Sequence, residues 1–266
     1  MSFKSTISLL ATLFVLCILS APVKQCYAQD DDSVPYDVDK FQSILDVSKL
    51  QIEEDSETAQ DYGDFVDYDS DCFYLSTTDN GQYMTFKSEG FKNRSELRLQ
   101  EEWDTSETKK LTGNVKLFYP DTADLDEFTF MQIHDAADSE NDPEGYPNKP
   151  LLRLAWFRDR SDDDGNDYSD HIWAVVRNTG DTVNSDEDVN DHYPLAARPD
   201  GFFDAEISVD SNMMTMTVNG ETLQLDVSYW SDLQSYFKAG VYLQGEEGEE
   251  NLDYEGTVQY NTLTFE

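Results

Sequence analysis

The feature that most constrains the fold is an alternation of apolar and polar residues at period two, which runs from about residue 72 to the C-terminus. Successive side chains of a β-strand point to opposite faces, so this period predicts strands with one buried face. Eleven segments carry the pattern: Gln82–Ser88, Arg94–Gln100, Asn114–Tyr119, Glu127–His134, Leu151–Arg158, Ile172–Arg177, Phe203–Val209, Met213–Val218, Thr222–Val227, Tyr236–Gln244 and Thr257–Phe265. Asn219-Gly220, between two of them, is typical of a type I′ hairpin turn. The pattern predicts an all-β fold of two packed antiparallel sheets.

The N-terminus has the features of an export signal. A short basic segment with Lys4 precedes an apolar run from Ile7 to Ala21, and Cys26-Tyr27-Ala28 offers a small-residue cleavage site. The apolar run is short for a membrane span. We therefore predict a signal peptide over residues 1–28 and a secreted product, extracellular or periplasmic, with an uncleaved membrane anchor as the alternative.

The segment over residues 29–61 is acidic and weakly periodic, which predicts a leader ahead of the domain. Phe41, Ile44, Leu45 and Leu50 have helical spacing, so one short helix is predicted within it. No linker or internal repeat divides the remainder of the chain, and residues 62–266 are predicted to form one domain.

Charge and cysteine content exclude several classes of protein. The chain has 18 basic and 56 acidic residues, a formal net charge of −38, which repels nucleic acid and anionic membranes. Cleavage after Ala28 removes Cys17 and Cys26 and leaves Cys72 as the only thiol. No disulfide is therefore expected, and we predict a monomer without nucleic-acid or membrane partners.

Polar side chains occupy one face of each of three predicted strands, and each strand has an apolar opposite face. This polar set is, strand by strand, Arg94, Glu96, Arg98 and Gln100; Gln132 and His134; and Tyr236, Lys238, Tyr242 and Gln244. Each group alone is compatible with solvated surface, such as a cross-strand ladder of ion pairs. Together, on rigid sheet positions and in a chain poor in basic residues, they predict a functional site.

No metal site is predicted from the sequence. The acidic run Asp162–Asp167 contains Gly165, but an EF-hand register with this glycine at the sixth position begins at Arg160 and ends at His171, which fails the ligand set. His171 and His192 lack the Cys or His neighbours of a zinc site. We therefore predict a solvated loop and expect no metal and no other cofactor.

Three segments carry a resemblance to a known family. Arg94–Arg98, Gln132–His134 and Tyr236–Gln244 resemble, in that order and with similar spacing, the three conserved blocks of polysaccharide lyase family seven, the alginate lyases. The resemblance extends over about residues 62–266. It implies a concanavalin-like β-jelly-roll sandwich with an open cleft on its concave sheet, and metal-free β-elimination on alginate. Leu99-Gln100 and Leu243 depart from the usual pattern, which bears on subsite preference.

The resemblance also implies a role for each residue. Those implied to act on the substrate are Arg94, Gln132, His134 and Tyr242. Those implied to bind it or support the cleft are Glu96, Arg98, Lys238 and Gln244. In this interpretation Arg94, Gln132 and His134 neutralise a uronate carboxylate and Tyr242 transfers protons, with His134 as the base for guluronate and Lys238 as a cation that helps Tyr242 ionise.

The expected substrate is alginate or its oligosaccharides. Ile133 accompanies guluronate acceptance in the family, which favours polyguluronate or mixed blocks. Attraction of a polyanion to so acidic a chain requires screening by salt and a local cationic cluster, which predicts a saline, marine setting. Two alternatives stay open: a non-catalytic carbohydrate-binding module or lectin on the same sandwich, and a lyase for another polyuronate such as glucuronan.

Overall fold

A computed structural model describes residues 33–53, 57–120, 124–136, 149–178, 190–244 and 253–266, so the predicted signal peptide over residues 1–28 lies outside the described ranges. Within them the chain forms one α-helix, α1 (Asp39–Leu45), two 3₁₀ helices (Pro35–Asp37 and Ser228–Trp230) and sixteen strands. In chain order the strands are β1 (Ser48–Ile52), β2 (Glu57–Gln60), β3 (Phe73–Thr78), β4 (Gly81–Glu89), β5 (Arg94–Leu99), β6 (Trp103–Asp104), β7 (Lys109–Leu117), β8 (Glu127–Asp135), β9 (Pro150–Ser161), β10 (Asp167–Arg177), β11 (Asn190–Ala197), β12 (Phe203–Asp210), β13 (Met213–Val218), β14 (Glu221–Asp226), β15 (Gln234–Leu243) and β16 (Glu255–Phe265).

The described strands form two antiparallel sheets. A nine-stranded sheet has the order β11-β10-β9-β8-β15-β5-β1-β2, with β6 pairing to β15 beside this path. A seven-stranded sheet has the order β14-β13-β12-β7-β16-β4-β3. This arrangement confirms the predicted all-β sandwich, and all eleven predicted strands correspond to observed ones.

The core fills the space between the two sheets. On the nine-stranded sheet, Leu97, Ile133 and Phe237 are fully buried, and on the seven-stranded sheet so are Val115 and Ile207. Alternate residues of β5, β8 and β15 therefore point toward the core, and the residues between them point to the opposite face. We call that opposite face of the nine-stranded sheet the site face.

The hairpin between β13 and β14 follows its sequence signature. Asn219 and Gly220 have φ angles of +50° and +87°, as a type I′ turn requires, and Val218 pairs with Glu221. The predicted hairpin turn is confirmed.

The chain enters the sandwich earlier than the boundary predicted at residue 62. The predicted helix is present as α1, but Leu50 belongs to β1, which pairs with β5 from Ser48 opposite Leu99 to Ile52 opposite Ser95. Leu50 is fully buried on the core side of β1, opposite Leu97. It was assigned to the helix because its spacing fits the period of a helix as well as that of a strand. Residues 33–53 and 57–60 are thus part of the sandwich.

Cys72 departs from the sequence prediction, since it is disulfide-bonded rather than an unpaired thiol. The other two cysteines of the sequence, Cys17 and Cys26, lie outside the described residues and both precede Ala28. Cleavage after Ala28 and an intrachain disulfide at Cys72 therefore exclude each other. None of the helices in the described ranges is long and apolar enough to cross a membrane.

Candidate active site

Three adjacent strands of the nine-stranded sheet carry the predicted site residues, because β15 lies between β5 and β8. The cross-strand pairs are Arg94 with Tyr242, Glu96 with Gly240, Arg98 with Lys238, Gln132 with Lys238, and His134 with Tyr236. Their apolar neighbours face the core, so the structure brings these side chains together on the site face.

Gly240 sets how closely β5 and β15 approach. Its φ is +151°, and a Cβ atom there would lie 2.2 Å from the carbonyl oxygen of Ser95 and 2.6 Å from the Cα atom of Glu96. No side chain fits at that distance, which explains the glycine in the middle of the strand. The close approach brings Lys238 on β15 within reach of Glu96 on β5.

Glu96 is the centre of a buried ionic cluster. Its side chain is fully buried, and Lys238 and Gln132 are each 1% exposed. Lys238 Nζ donates a hydrogen bond of 2.6 Å to Glu96 Oε2, and Gln132 Nε2 donates one of 2.5 Å to Oε1. Arg94 Nη1 lies 3.6 Å from Oε2. One carboxylate thus faces two cations, and this Glu96 cluster carries a net positive charge under the site face.

Lys238 is less basic than a free lysine. Burial lowers its pKa to about 8, while Glu96 opposes the shift and Arg94 adds to it. The hydrogen bond to Glu96 favours the charged form, so the ammonium persists at neutral pH. Lys238 therefore remains ion-paired with Glu96 at neutral pH.

His134 is held in one tautomer by its own backbone neighbour. Its Nδ1 lies 2.8 Å from the carbonyl oxygen of Asp135, and a carbonyl oxygen only accepts, so Nδ1 carries the proton and donates. The hydroxyl of Tyr236 is 3.3 Å from the same nitrogen. Nε2 is then the unprotonated nitrogen, which is the form a general base requires.

The imidazole of His134 is also kept neutral. Burial, followed by the positive charge of Lys238, lowers its pKa to about 3, with smaller contributions from Arg94 and Arg98 and an opposing one from the hydrogen bond to Asp135. At neutral pH this side chain accepts a proton without first having to lose one.

Arg94 packs against Tyr242. The Arg94 guanidinium carbon lies 4.1 Å from the centroid of the phenol ring, and Arg94 Nε donates a 3.1 Å hydrogen bond to the carbonyl oxygen of Glu53. Both side chains are partly exposed on the site face. The sequence interpretation assigned the cation beside Tyr242 to Lys238, but the structure places Arg94 against the ring because Lys238 is bonded to Glu96.

A second arginine packs on a second tyrosine at the other end of the same strands. The Arg98 guanidinium carbon lies 4.0 Å from the ring centroid of Tyr236. Arg98 Nη1 donates to the hydroxyl of Tyr62 at 2.9 Å, and Nη2 donates to Glu102 Oε1 at 2.8 Å. Arg98 is thus fixed by side chains on both sides.

β1 adds polar residues that sequence reasoning missed. Lys49 lies opposite Arg98 and Gln51 opposite Glu96, and Lys49 Nζ is 5.3 Å from the ring centroid of Tyr62. The alternation of Lys49, Leu50 and Gln51 carried this signal, but helical spacing upstream concealed it.

Gln244 belongs to a neighbouring cluster. Its Oε1 accepts a hydrogen bond from Arg153 Nη1, which also bonds Glu127 Oε1 at 2.5 Å. Arg153 lies opposite Gln132 on β9, so this cluster adjoins the Glu96 cluster. Arg153 was also missed, although it is the one charge in the apolar run Leu151–Phe157.

The acidic loop around Asp162 is closed by hydrogen bonds among its own residues. The carboxylate of Asp162 accepts hydrogen bonds from Asn166, from the backbone of Asp164 and from the hydroxyl of Tyr168. Across the described residues, no group of three or more His, Cys, Asp or Glu side chains is arranged to hold a metal ion.

The site face therefore combines three chemical elements. The Glu96 cluster, which includes Arg94 and Gln132, provides fixed positive charge and donors. His134 provides a neutral base, and Tyr242 provides a hydroxyl beside a guanidinium. This set suits removal of a proton next to an anionic group, with a nearby acid for the leaving group.

Comparisons with known proteins show which family the chain resembles in sequence and fold. The sequence pattern of the family Alginate_lyase2, described as alginate lyase, matches residues 37–266. An alginate lyase of Photobacterium sp. (strain ATCC 43367) is 28% identical over 250 residues, which is 83% of this chain and 85% of that protein. Alginate lyase AlyC3 superimposes with a TM-score of 0.75 at 24% identity, over 90% of this chain and 98% of that one. Alginate lyase A1-II′, a member of polysaccharide lyase family 7, superimposes with a TM-score of 0.60 at 21% identity, over 84% of this chain and 95% of that one. The resemblance drawn from three sequence blocks is confirmed.

Proposed function

Since the chain belongs to the alginate lyase family and is thus a polysaccharide lyase, we propose that it cleaves the 1,4-glycosidic bonds of alginate by β-elimination. The observation that carries this proposal is that Arg94, Gln132, His134 and Tyr242 lie on one face of the sheet. Gln132 is buried there beside the ion pair of Glu96 and Lys238. The product has a 4,5-unsaturated uronate at its new non-reducing end.

The first requirement of the reaction is neutralisation of the uronate carboxylate. The hydrogen on C5 lies next to this carboxylate, and its removal creates an enolate-like dianion, which water alone does not stabilise. Arg94 supplies a planar cation that matches a carboxylate, and Gln132 supplies a further donor. The sequence interpretation also counted His134 among the neutralising groups, but a neutral imidazole protonated at Nδ1 has no proton on Nε2 to donate to a carboxylate. Glu96 and Lys238 form a buried, formally neutral pair that holds Gln132 and Arg94 in place, so these donors need little reorganisation when charge develops.

The second requirement is a pair of proton transfers. A base takes the C5 proton, the C4–O4 bond breaks as the C4–C5 double bond forms, and an acid protonates O4. In mannuronate the C5 hydrogen and O4 lie on the same side of the ring, so Tyr242 performs both transfers. In guluronate they lie on opposite sides, so Nε2 of His134 takes the proton and Tyr242 protonates O4.

We also propose a preference for polyguluronate or mixed blocks. Two features support it: Ile133 between Gln132 and His134, and a neutral His134 whose Nε2 is unprotonated. The similar lyase AlyC3 has been solved with dimannuronate, so mannuronate blocks are the natural rival substrate.

The decisive experiment follows the ultraviolet absorbance of the conjugated double bond during incubation with polyguluronate, polymannuronate, mixed alginate and glucuronan. We expect the absorbance to rise with alginate and fastest with guluronate-rich blocks. A rise with glucuronan alone would assign another polyuronate. Binding of alginate without any rise in absorbance would show a lectin and overturn the proposal.

Export is a further part of the proposal, supported by the basic and apolar N-terminal segment. The intact mass of the secreted protein, with and without reduction, identifies the cleavage point and the state of Cys72. A chain that begins at Gln29 with a free thiol would confirm the predicted cleavage, whereas a chain that retains Cys26 in a disulfide would move the cleavage upstream.

A further inference from the structure

Tyr236 makes two contacts with His134 that its position on β15 alone does not require. Its hydroxyl lies 3.3 Å from His134 Nδ1, and the two rings are stacked with centroids 5.4 Å apart and planes at 19°. Since Nδ1 already donates to the Asp135 carbonyl oxygen, the phenol oxygen serves as a second acceptor for the same proton.

Tyr236 is itself firmly placed. It is 7% exposed, and the Arg98 guanidinium covers its ring at 4.0 Å. Tyr62 and Glu102 in turn hold that guanidinium. A continuous series of contacts therefore runs from Glu102 through Arg98 and Tyr236 to the imidazole.

The same environment prevents Tyr236 from acting as a base. Burial raises its pKa far above that of a free phenol, with Arg98 opposing the shift only in part. Tyr236 thus stays protonated while Tyr242, on the same strand, stands beside Arg94 on the partly exposed side of the face.

We propose that Tyr236 is the positioning residue of His134: its stacked ring and its hydroxyl fix the imidazole plane, while the Asp135 carbonyl oxygen fixes the Nδ1-protonated tautomer that leaves Nε2 as the base for guluronate. This inference rests on the role of His134 in the proposed function. It also extends that function, because it makes Tyr236 a determinant of guluronate cleavage that contacts no substrate itself.

The test is a double-mutant cycle on two substrates. Tyr236→Phe retains the ring under Arg98 and removes only the acceptor, a loss that corresponds to about a 3- to 10-fold change in rate. We expect kcat on polyguluronate to fall by about this factor with little change in KM, and kcat on polymannuronate to stay within about twofold. In a His134→Asn background, Tyr236→Phe should have no further effect on either substrate.

Tyr193→Phe is the matched control, since Tyr193 lies on β11 of the same sheet and its hydroxyl bonds Asp191. Nitrogen-15 NMR of the labelled imidazole gives an independent readout: we expect Nδ1–H in both proteins, with sharp signals in the wild type and exchange-broadened signals in Tyr236→Phe, where the ring has lost one contact. Equal losses on both substrates, or additive losses in the double mutant, would overturn the inference. If His134→Asn itself spares polyguluronate cleavage, the assigned role of His134 fails instead, and the two failures are distinguishable.

Discussion

Two arginine–tyrosine pairs join β5 to β15, and they differ in what surrounds them rather than in how they pack. Arg94 lies 4.1 Å from the ring of Tyr242, and Arg98 lies 4.0 Å from the ring of Tyr236. Tyr236 is almost completely buried, whereas Tyr242 is partly exposed. In the proposed mechanism, the same contact, repeated along one strand pair, serves a reactive phenol at one end and a support for the base at the other.

The partners of the two arginines explain this division. Arg98 donates to two side chains, Tyr62 and Glu102, which fix its guanidinium. Arg94 donates to the backbone carbonyl of Glu53 and approaches Glu96 at 3.6 Å. In the proposed function, the Arg94 guanidinium presents its planar edge to the substrate carboxylate. The difference between the pairs leads to four predictions.

The largest effect is expected from Tyr242→Phe. Loss of the acid that protonates O4 should lower kcat by about 1000-fold on both block types, while oligosaccharide binding measured by calorimetry stays within about threefold. Tyr236→Phe should cost far less. If the two variants lose activity equally, the contrast between the two pairs is wrong.

Gly240→Ala should damage both pairs at once. A methyl group 2.2 Å from the Ser95 carbonyl oxygen forces β5 and β15 apart, so we expect the free energy of unfolding to fall by about 3 kcal/mol. Denaturant unfolding measures this loss. Gly201→Ala is the control, because nothing lies within 4 Å of its added Cβ atom and its φ is not positive; an equally stable Gly240→Ala would contradict the close approach.

Arg94→Lys and Arg98→Lys compare the two cations directly. Lysine keeps the charge but loses the planar fork, so Arg94→Lys should lower kcat/KM by about 100-fold. Arg98→Lys should lower it by about tenfold or less, since we propose that Arg98 acts through Tyr236 and His134. Initial rates over a range of alginate concentrations measure both, and a reversed order would remove Arg94 from the carboxylate.

The pH dependence of activity and stability tests whether burial and the nearby cations keep His134 neutral. With the pKa of His134 lowered from 6.5 to about 3, the imidazole is neutral throughout that interval in the folded protein. The unfolded chain binds this proton more readily, so the contribution of neutral His134 to stability is complete above pH 6.5 and is lost as the pH falls toward 3.

Two measurements test this shift. The profile of kcat/KM on polyguluronate should show no acid limb near pH 6.5, and the stability of wild type relative to His134→Asn should decline below that pH. An acid limb at 6.5 would place His134 in an ordinary solvated environment.

Much of this architecture could be predicted from the sequence, because period-two alternation is a direct record of which side chains face the core. The pattern identified the strands on which Arg94, His134 and Tyr242 lie, and it identified their shared face. The pattern missed five of the sixteen strands: the short or peripheral β2, β3 and β6, then β11, where Pro194 and a polar composition break the alternation, and β1, where Leu50 also completes a helical period.

The contacts within the site could not be predicted, because they depend on spacing between strands. Alternation places Lys238 and Glu96 on one face, but only the approach permitted by Gly240 brings them into a buried bond. Arg153 and Gln51 join the site face through strand neighbours that are distant in sequence. The disulfide at Cys72 was missed for a different reason. The predicted signal-peptide cleavage after Ala28 removes the other two cysteines of the sequence, which left Cys72 without an expected partner.

The order of strands in the nine-stranded sheet has a consequence for biosynthesis. β5 ends at Leu99 and β15, which lies beside it, begins at Gln234. Almost the whole polypeptide must emerge from the ribosome before these neighbours can meet, and such long-range pairings are slow to form. We therefore expect a nascent or truncated chain that stops before β15 to be inactive, because it lacks Tyr242. Measured lyase activity would then report only fully synthesised and folded chains.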